Sequence, residues 1–280
     1  MLSYRHGFHA GNFADVFKHA LLCLIAQALS KKDKPLFYLE THAGAGRYDL
    51  NSAMAGKNRE FAGGIGRLWN AEAPPPALES FLAAVHAANH GSRLRFYPGS
   101  PGFLRHFLRE QDRMVLCELH ATDAGHLKGE FAGDRRIRVY QDDGYQALKS
   151  QLPPPERRGL VVLDPPYERK QERQQVVDAV AAAWRRWATG HYAVWYPIQA
   201  RPERDWFHRQ FARSGIGRIF VSELRLYDED LPKRLNGSGM LLINPPWQLD
   251  AQLASFGPWL WQVLSAGAGG DYRQSWLVPE

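Results

Sequence analysis

A chain of 280 residues is long enough for one large domain, or for one domain carrying an inserted subdomain. Its apolar fraction of 45% and charged fraction of 23% are ordinary for a globular protein, while a formal charge of +6 suits nucleic acid as a partner without requiring it. No apolar run is expected to span a bilayer and no secretory leader opens the chain; Cys23 and Cys117 lie far apart in apolar contexts, which argues against a disulfide scaffold and for a cytoplasmic protein.

Apolar residues from Phe13 to Ala28 recur at helical spacing and predict a helix over 13–29, with Asn12 as its N-cap. A short buried strand follows at 36–40, then the glycine loop Thr41-His42-Ala43-Gly44-Ala45-Gly46. Residues 51–97 hold two helix-like runs, 61–69 and 77–88, separated by three prolines. This stretch is far longer than a simple connection needs, so we expect one main unit over 1–50 and 98–280 and a small helical insertion over 51–97. Ser100-Pro101 resembles an N-cap and first helical residue, opening a helix over 102–108. Strands are predicted at 114–118, 137–140, 160–163 and 192–196, with a helix at 174–187. A strand pair at 218–226 and 239–243, a helix at 249–264 and a last strand at 275–278 complete the chain. Alternating strands and helices predict an α/β fold with a mainly parallel, Rossmann-like sheet.

Asp164-Pro165-Pro166-Tyr167 follows the apolar run Leu160-Val161-Val162-Leu163, at the carboxyl end of a predicted parallel strand. Such a loop serves amine methylation. A carboxylate and a backbone carbonyl accept the two hydrogens of a poorly nucleophilic exocyclic amine, the prolines stiffen the loop, and the aromatic ring stacks on the base. Asp164, Pro165 and Tyr167 are therefore the catalytic candidates. The bland alternative is an Asp-Pro turn after a strand. Asn244-Pro245-Pro246-Trp247 repeats the pattern, but follows a strand expected to run antiparallel, so we assign it to a structural turn.

Glu118 ends the next predicted strand, where a carboxylate suits ribose hydroxyls, and Asp142-Asp143-Gly144 follows the strand after that, where an acid suits an adenine amine. Each alone reads more readily as a solvated strand end; the succession of glycine loop, Glu, Asp and Asp-Pro-Pro-Tyr points to a nucleoside-bearing methyl donor. Position 49 is Asp, so the loop does not match the G-x-G-x-x-G pattern of dinucleotide binding. Tyr4, Arg5, His6, His9, Asn12, Lys18 and His19 form a polar, aromatic N-terminal segment whose spacing fits no common zinc pattern, so no metal is expected. It reads either as a lip for nucleic acid or as a polar lead-in to the helix.

Met1-Leu2-Ser3-Tyr4-Arg5-His6, His9-Ala10-Gly11-Asn12, Thr41 to Tyr48, Tyr97-Pro98-Gly99-Ser100-Pro101, Leu163 to Tyr167 and Ile243 to Trp247 together resemble the RlmJ family. The resemblance spans nearly the whole chain. It implies a class I S-adenosylmethionine-dependent fold with a helical insertion, and methylation of N6 of an adenine in 23S ribosomal RNA, the nucleotide conventionally numbered 2030. It also implies a monomer, and a place in ribosomal RNA processing and ribosome biogenesis. Cofactor contacts are implied for His19, His42, Ser100, Glu118, Asp143, Gly144 and Asp164, and RNA-side positions for Tyr4, His6 and Lys18. A DNA adenine-N6 or cytosine-N4 methyltransferase and a non-catalytic RNA-binding protein are the competing expectations.

Overall fold

The computed structural model describes residues 5–228, 231, 234–265 and 269–279. Helix α1 (Phe13–Ser30) comes first, capped by Asn12, whose side chain accepts the Asp15 amide at 3.0 Å. Strand β1 (Phe37–Glu40) follows, and β2 (Arg47–Asp49) lies outside the main sheet. Helices α2 (Ala53–Asn58), α3 (Ile65–Leu68) and α4 (Glu79–Ala87) come next, before β3 (Phe96–Pro98) returns antiparallel to β2. The chain continues through α5 (Ser100–Arg105), β4 (Arg113–Cys117), α6 (Ala121–Glu130), β5 (Ile137–Tyr140), α7 (Gly144–Gln151) and β6 (Gly159–Leu163). It ends with α8 (Glu172–Arg186), β7 (His191–Ile198), α9 (Arg201–Ala212), β8 (Ile219–Arg225), β9 (Gly237–Ile243), α10 (Leu249–Ser265) and β10 (Asp271–Val278).

The main sheet has eight strands in the order β10-β8-β9-β7-β6-β1-β4-β5. From β7 to β5 every pairing is parallel, whereas β9 runs antiparallel to both neighbours and β10 antiparallel to β8. The chain builds outward from β1 to β4 and β5, then crosses to the other side of β1 with β6. The crevice between β1 and β6 is thus a topological switch point, where open α/β sheets bind ligands.

Strands buried on both faces carry apolar side chains at every position, and their alternation divides them between two cores. Tyr38, Leu160 and Val162 join α1, α4, α5 and α10 on one face. Phe37, Leu39, Val161 and Leu163 join α7, α8 and α9 on the other. Helix α1 is long and apolar enough to cross a membrane by length and composition, contrary to expectation, yet 78% of that window is buried within the fold.

Other elements depart from expectation for local reasons. The run at 61–69 breaks at Gly64, because a Cβ there would stand 2.1 Å from the Gly11 carbonyl oxygen. The close approach lets Ile65 donate its amide to that same carbonyl at 2.9 Å. Gly99, not Ser100, holds the N-cap position of α5, which starts two residues earlier than predicted. The final strand starts at Asp271, not at 275, because it pairs along the whole of β8. Asn244 sits at the edge opposite the β6 carboxyl end, donating its side-chain amide to the Ala188 and Gly190 carbonyls, so the second Pro-Pro motif is a turn.

Candidate active site

Side chains reach the switch-point crevice from the segment before α1, from α1 and α5, from the loops after β1, β4 and β5, and from the Asp164 loop after β6. The resulting cleft is lined by His19, His42, Ser100, Glu118, Asp143, Gly144 and Asp164, together with His6 and Lys18. All the described residues that the sequence nominated for cofactor therefore converge. Tyr4 lies outside the described residues.

The cleft's floor is set by close backbone approach. Gly44 has φ +62° and donates its amide to Glu118 Oε2 at 2.9 Å, while the His120 amide donates to Glu118 Oε1 at 2.7 Å. Burial nevertheless raises the Glu118 carboxyl above its usual range, with those two N–H bonds working against the rise. Asp143 accepts the Tyr145 amide at 2.8 Å and so caps α7; adjacent Asp142 is not among the cleft residues. A Cβ at Gly144 would stand 2.0 Å from the Thr41 carbonyl oxygen, so the first turn of α7 reaches the loop after β1 only with glycine there.

Burial disfavours the charged form of two cleft histidines, His42 and His19. Burial pushes the His42 imidazole down to about 4, and its Nδ1 lies 2.7 Å from Thr41 Oγ1. Burial likewise holds His19 well below its ordinary value; its Nδ1 meets the Tyr97 hydroxyl at 2.9 Å, and its Nε2 has no protein partner. Ser100 donates its hydroxyl to Glu40 Oε2 at 2.6 Å, and burial pushes Glu40 up to about 8.

At the other end of the cleft, Lys18 Nζ lies 2.5 Å from Asp164 Oδ2 and 2.9 Å from Asp15 Oδ1. Burial would lower the Lys18 ammonium, but the two carboxylates outweigh it and hold its pKa above the ordinary lysine value. Burial opposes the charge on Asp15 too, and His6 and Lys18 beside it keep it well below the carboxylate range. His6 Nε2 completes the cluster at 2.9 Å from Asp15 Oδ2. The N-terminal segment is fastened further by Arg5 to Asp123 at 3.2 Å, and by His9 and Asn12 to Glu60 at 3.0 and 2.9 Å.

A second cavity opens on Asp164 from the other side, lined by Pro166, Tyr167, Trp195, Tyr227 and Arg234 among others, and it shares His6, Lys18 and Trp195 with the cleft. Tyr167 lines this groove and not the cleft. Its hydroxyl donates to the Trp195 carbonyl at 2.7 Å, fixing a half-buried ring 5.9 Å from the Trp195 ring. Sequence reasoning missed Trp195, Glu40 and Glu60. Trp195 looked like one more core residue of its strand; the only cue is that its strand neighbours the one that delivers Asp164.

The model of a family described as "Ribosomal RNA large subunit methyltransferase D, RlmJ" matches residues 33–278. Two relatives named "Ribosomal RNA large subunit methyltransferase J" align along their whole length and the whole of this chain. The protein from Escherichia coli (strain K12) is 46% identical over 280 residues and that from Haemophilus influenzae 42% over 281. A crystal structure of a Legionella pneumophila protein superposes with a TM-score of 0.88 at 36% identity, covering 96% of this chain and 98% of that one. A probable spermidine synthase from Corynebacterium glutamicum shares the fold at a TM-score of 0.50 and 12% identity, over 92% of this chain and 74% of that one. The mainly parallel sheet is that of the class I methyltransferases, and the chain belongs to the large-subunit ribosomal RNA methyltransferase family.

Proposed function

We propose that the protein transfers a methyl group from S-adenosylmethionine to N6 of an adenine in 23S ribosomal RNA. The observation that carries this reading is the position of Asp164, where the cleft and the groove meet with its Oδ2 held by Lys18. S-adenosylmethionine supplies an electrophilic methyl group. The residues present suit it. His19 Nε2 is a buried polar atom without a protein partner in the cleft wall, and glycines at 44 and 144 let the loop after β1 close onto Tyr48 and the start of α7, which shapes that wall. His19, His42, Ser100, Glu118, Asp143 and Gly144 would hold it.

The chain's own part in the reaction is positioning. Lys18 fixes one Asp164 oxygen, and Oδ1 has acceptor lone pairs for an adenine amine. Pro165 has no N–H, so the loop presents carbonyls without a competing donor, and the Pro165 carbonyl is the second acceptor for that amine. Tyr167 and Trp195 supply aromatic walls for the base. Because Asp15 and Asp164 both face Lys18, its charge is matched locally and does not oppose a cationic methyl donor. His6 and Lys18 belong to the RNA side. Residues 1–50 and 98–280 form the catalytic unit, with 51–97 inserted, and the enzyme works as a cytoplasmic monomer.

The test is transfer of labelled methyl from S-adenosylmethionine to protein-free 23S ribosomal RNA and, in parallel, to single- and double-stranded DNA. Label confined to RNA adenine is expected. Equal or greater label in DNA overturns the substrate assignment, and absence of cofactor binding by calorimetry overturns the activity.

A further inference from the structure

An adenine at Asp164 brings its neighbours in the strand with it, and the groove beyond Asp164 offers them a place. It runs from Tyr167 and Trp195 past the inserted helices to Tyr227 and Arg234, where the chain re-enters β9. Tyr227 packs against the core, and the Arg234 guanidinium lies 3.5 Å over its ring centroid. This is a layered platform with an exposed outer plane, since Arg234 itself is exposed. Unpaired bases stack on such guanidinium planes, and the same group forks onto phosphate.

Charge in the groove is unevenly matched. The carboxylates facing it each have a cationic or histidine partner: Asp15 and Asp164 meet Lys18, and Glu60 meets His9. The groove is also lined by Arg67, which donates to the Val263 and Leu264 carbonyls, and by Arg234 on its tyrosine. Neither of those contacts neutralises a positive charge. An acidic, flat-faced ligand continuous with the active site is what this groove recognises.

We infer that the groove is the subsite for a nucleotide adjoining the target adenine, its base stacked on the Arg234–Tyr227 platform and its phosphate met by Arg234 and Arg67. The inference rests on the RNA-methylating reading above and extends it from the adenine to the strand.

Arg234→Ala and Tyr227→Ala are compared with wild type on an RNA hairpin carrying the target adenine in its loop. KM for RNA is expected to rise about tenfold in each, the scale of one lost base stack. Turnover at saturation and S-adenosylmethionine affinity stay unchanged, and Arg234→Lys recovers the charge but not the stack. The dependence of log(kcat/KM) on log salt becomes shallower by about 0.7 in Arg234→Ala, as one phosphate contact is lost. Photocrosslinking from 4-thiouridine placed beside the target adenine is expected to reach the Tyr227 peptide. Unchanged KM and salt slope, or crosslinks confined to the opposite end of the sheet around Trp247, overturn the inference. If wild type transfers no methyl to RNA, the functional reading fails on its own, and the crosslink still decides whether RNA occupies the groove.

Discussion

Lys18 and Asp164, separated by 146 positions in sequence, meet at 2.5 Å in the structure, and Asp15 occupies the same ammonium from its other side at 2.9 Å. The contact joins the first helix to the Asp164 loop. Lys18→Met leaves two carboxylates facing each other without their cation, one of them fully buried. Removing one partner of a buried pair costs about 3 kcal/mol or more, so a large drop in melting temperature is expected. Adding Asp15→Asn to that variant should recover part of the stability, because it removes the orphaned charge. It should not recover activity, because Asp164 stays unanchored. Calorimetry and methyl-transfer assays on the single and double variants check both statements.

Glu40 makes stability depend on pH. Its carboxyl is pushed from 4.5 up to about 8 by burial, so within that window the folded chain retains a proton that the unfolded chain has released. Stability therefore falls as pH rises toward 8. The buried histidines, whose values are lowered, act in the opposite sense until their unfolded imidazoles have discharged, about one unit above 6.5, and they do so equally in wild type and in a Glu40 variant. Glu40→Gln keeps the bond to Ser100 and removes the titration. Between pH 6.5 and 8.5 the wild-type melting temperature is expected to fall more steeply than that of the variant. Parallel profiles would show that Glu40 does not titrate in this range.

Gly144, proposed above as a cofactor contact, is also a packing requirement. Gly144→Ala places a methyl group against the Thr41 backbone, where neither partner is a flexible side chain. Overpacking of this kind costs about 1–3 kcal/mol, and here it displaces the loop after β1. Weaker S-adenosylmethionine binding by calorimetry is expected, with the RNA affinity much less affected. Normal cofactor affinity in the variant would separate Gly144 from the cleft's function.

Much of the fold was legible because the buried strands state themselves: Leu160-Val161-Val162-Leu163 can only be a run covered on both faces, and Asp164 comes directly after it. Asn12 and Asp15 announced the start of α1 in the same way. The opposed placement of the two Pro-Pro loops followed from strand direction alone. What escaped were relations between distant residues. The break at Gly64 depends on Gly11, the clasp of Glu60 depends on His9 and Asn12, and the burial of Glu40 depends on Ser100. Local periodicity carries no trace of such pairs. Ser100 was misplaced by one position for a related reason. Its side chain turns inward to Glu40, and α5 starts without a side-chain cap.

The central claim is that Asp164 orients an adenine amine for methylation in ribosomal RNA. Its most direct test is nucleoside mass spectrometry of protein-free 23S ribosomal RNA after incubation with S-adenosylmethionine and either the wild-type protein or Asp164→Asn. New N6-methyladenosine is expected with the wild type. A loss of about a hundredfold or more is expected with the variant, the scale set by removing one well-placed polar group from a transition state. Asp164→Asn should retain its fold by circular dichroism. N6-methyladenosine formed equally by both proteins, or methyl groups found on another atom, would contradict the claim.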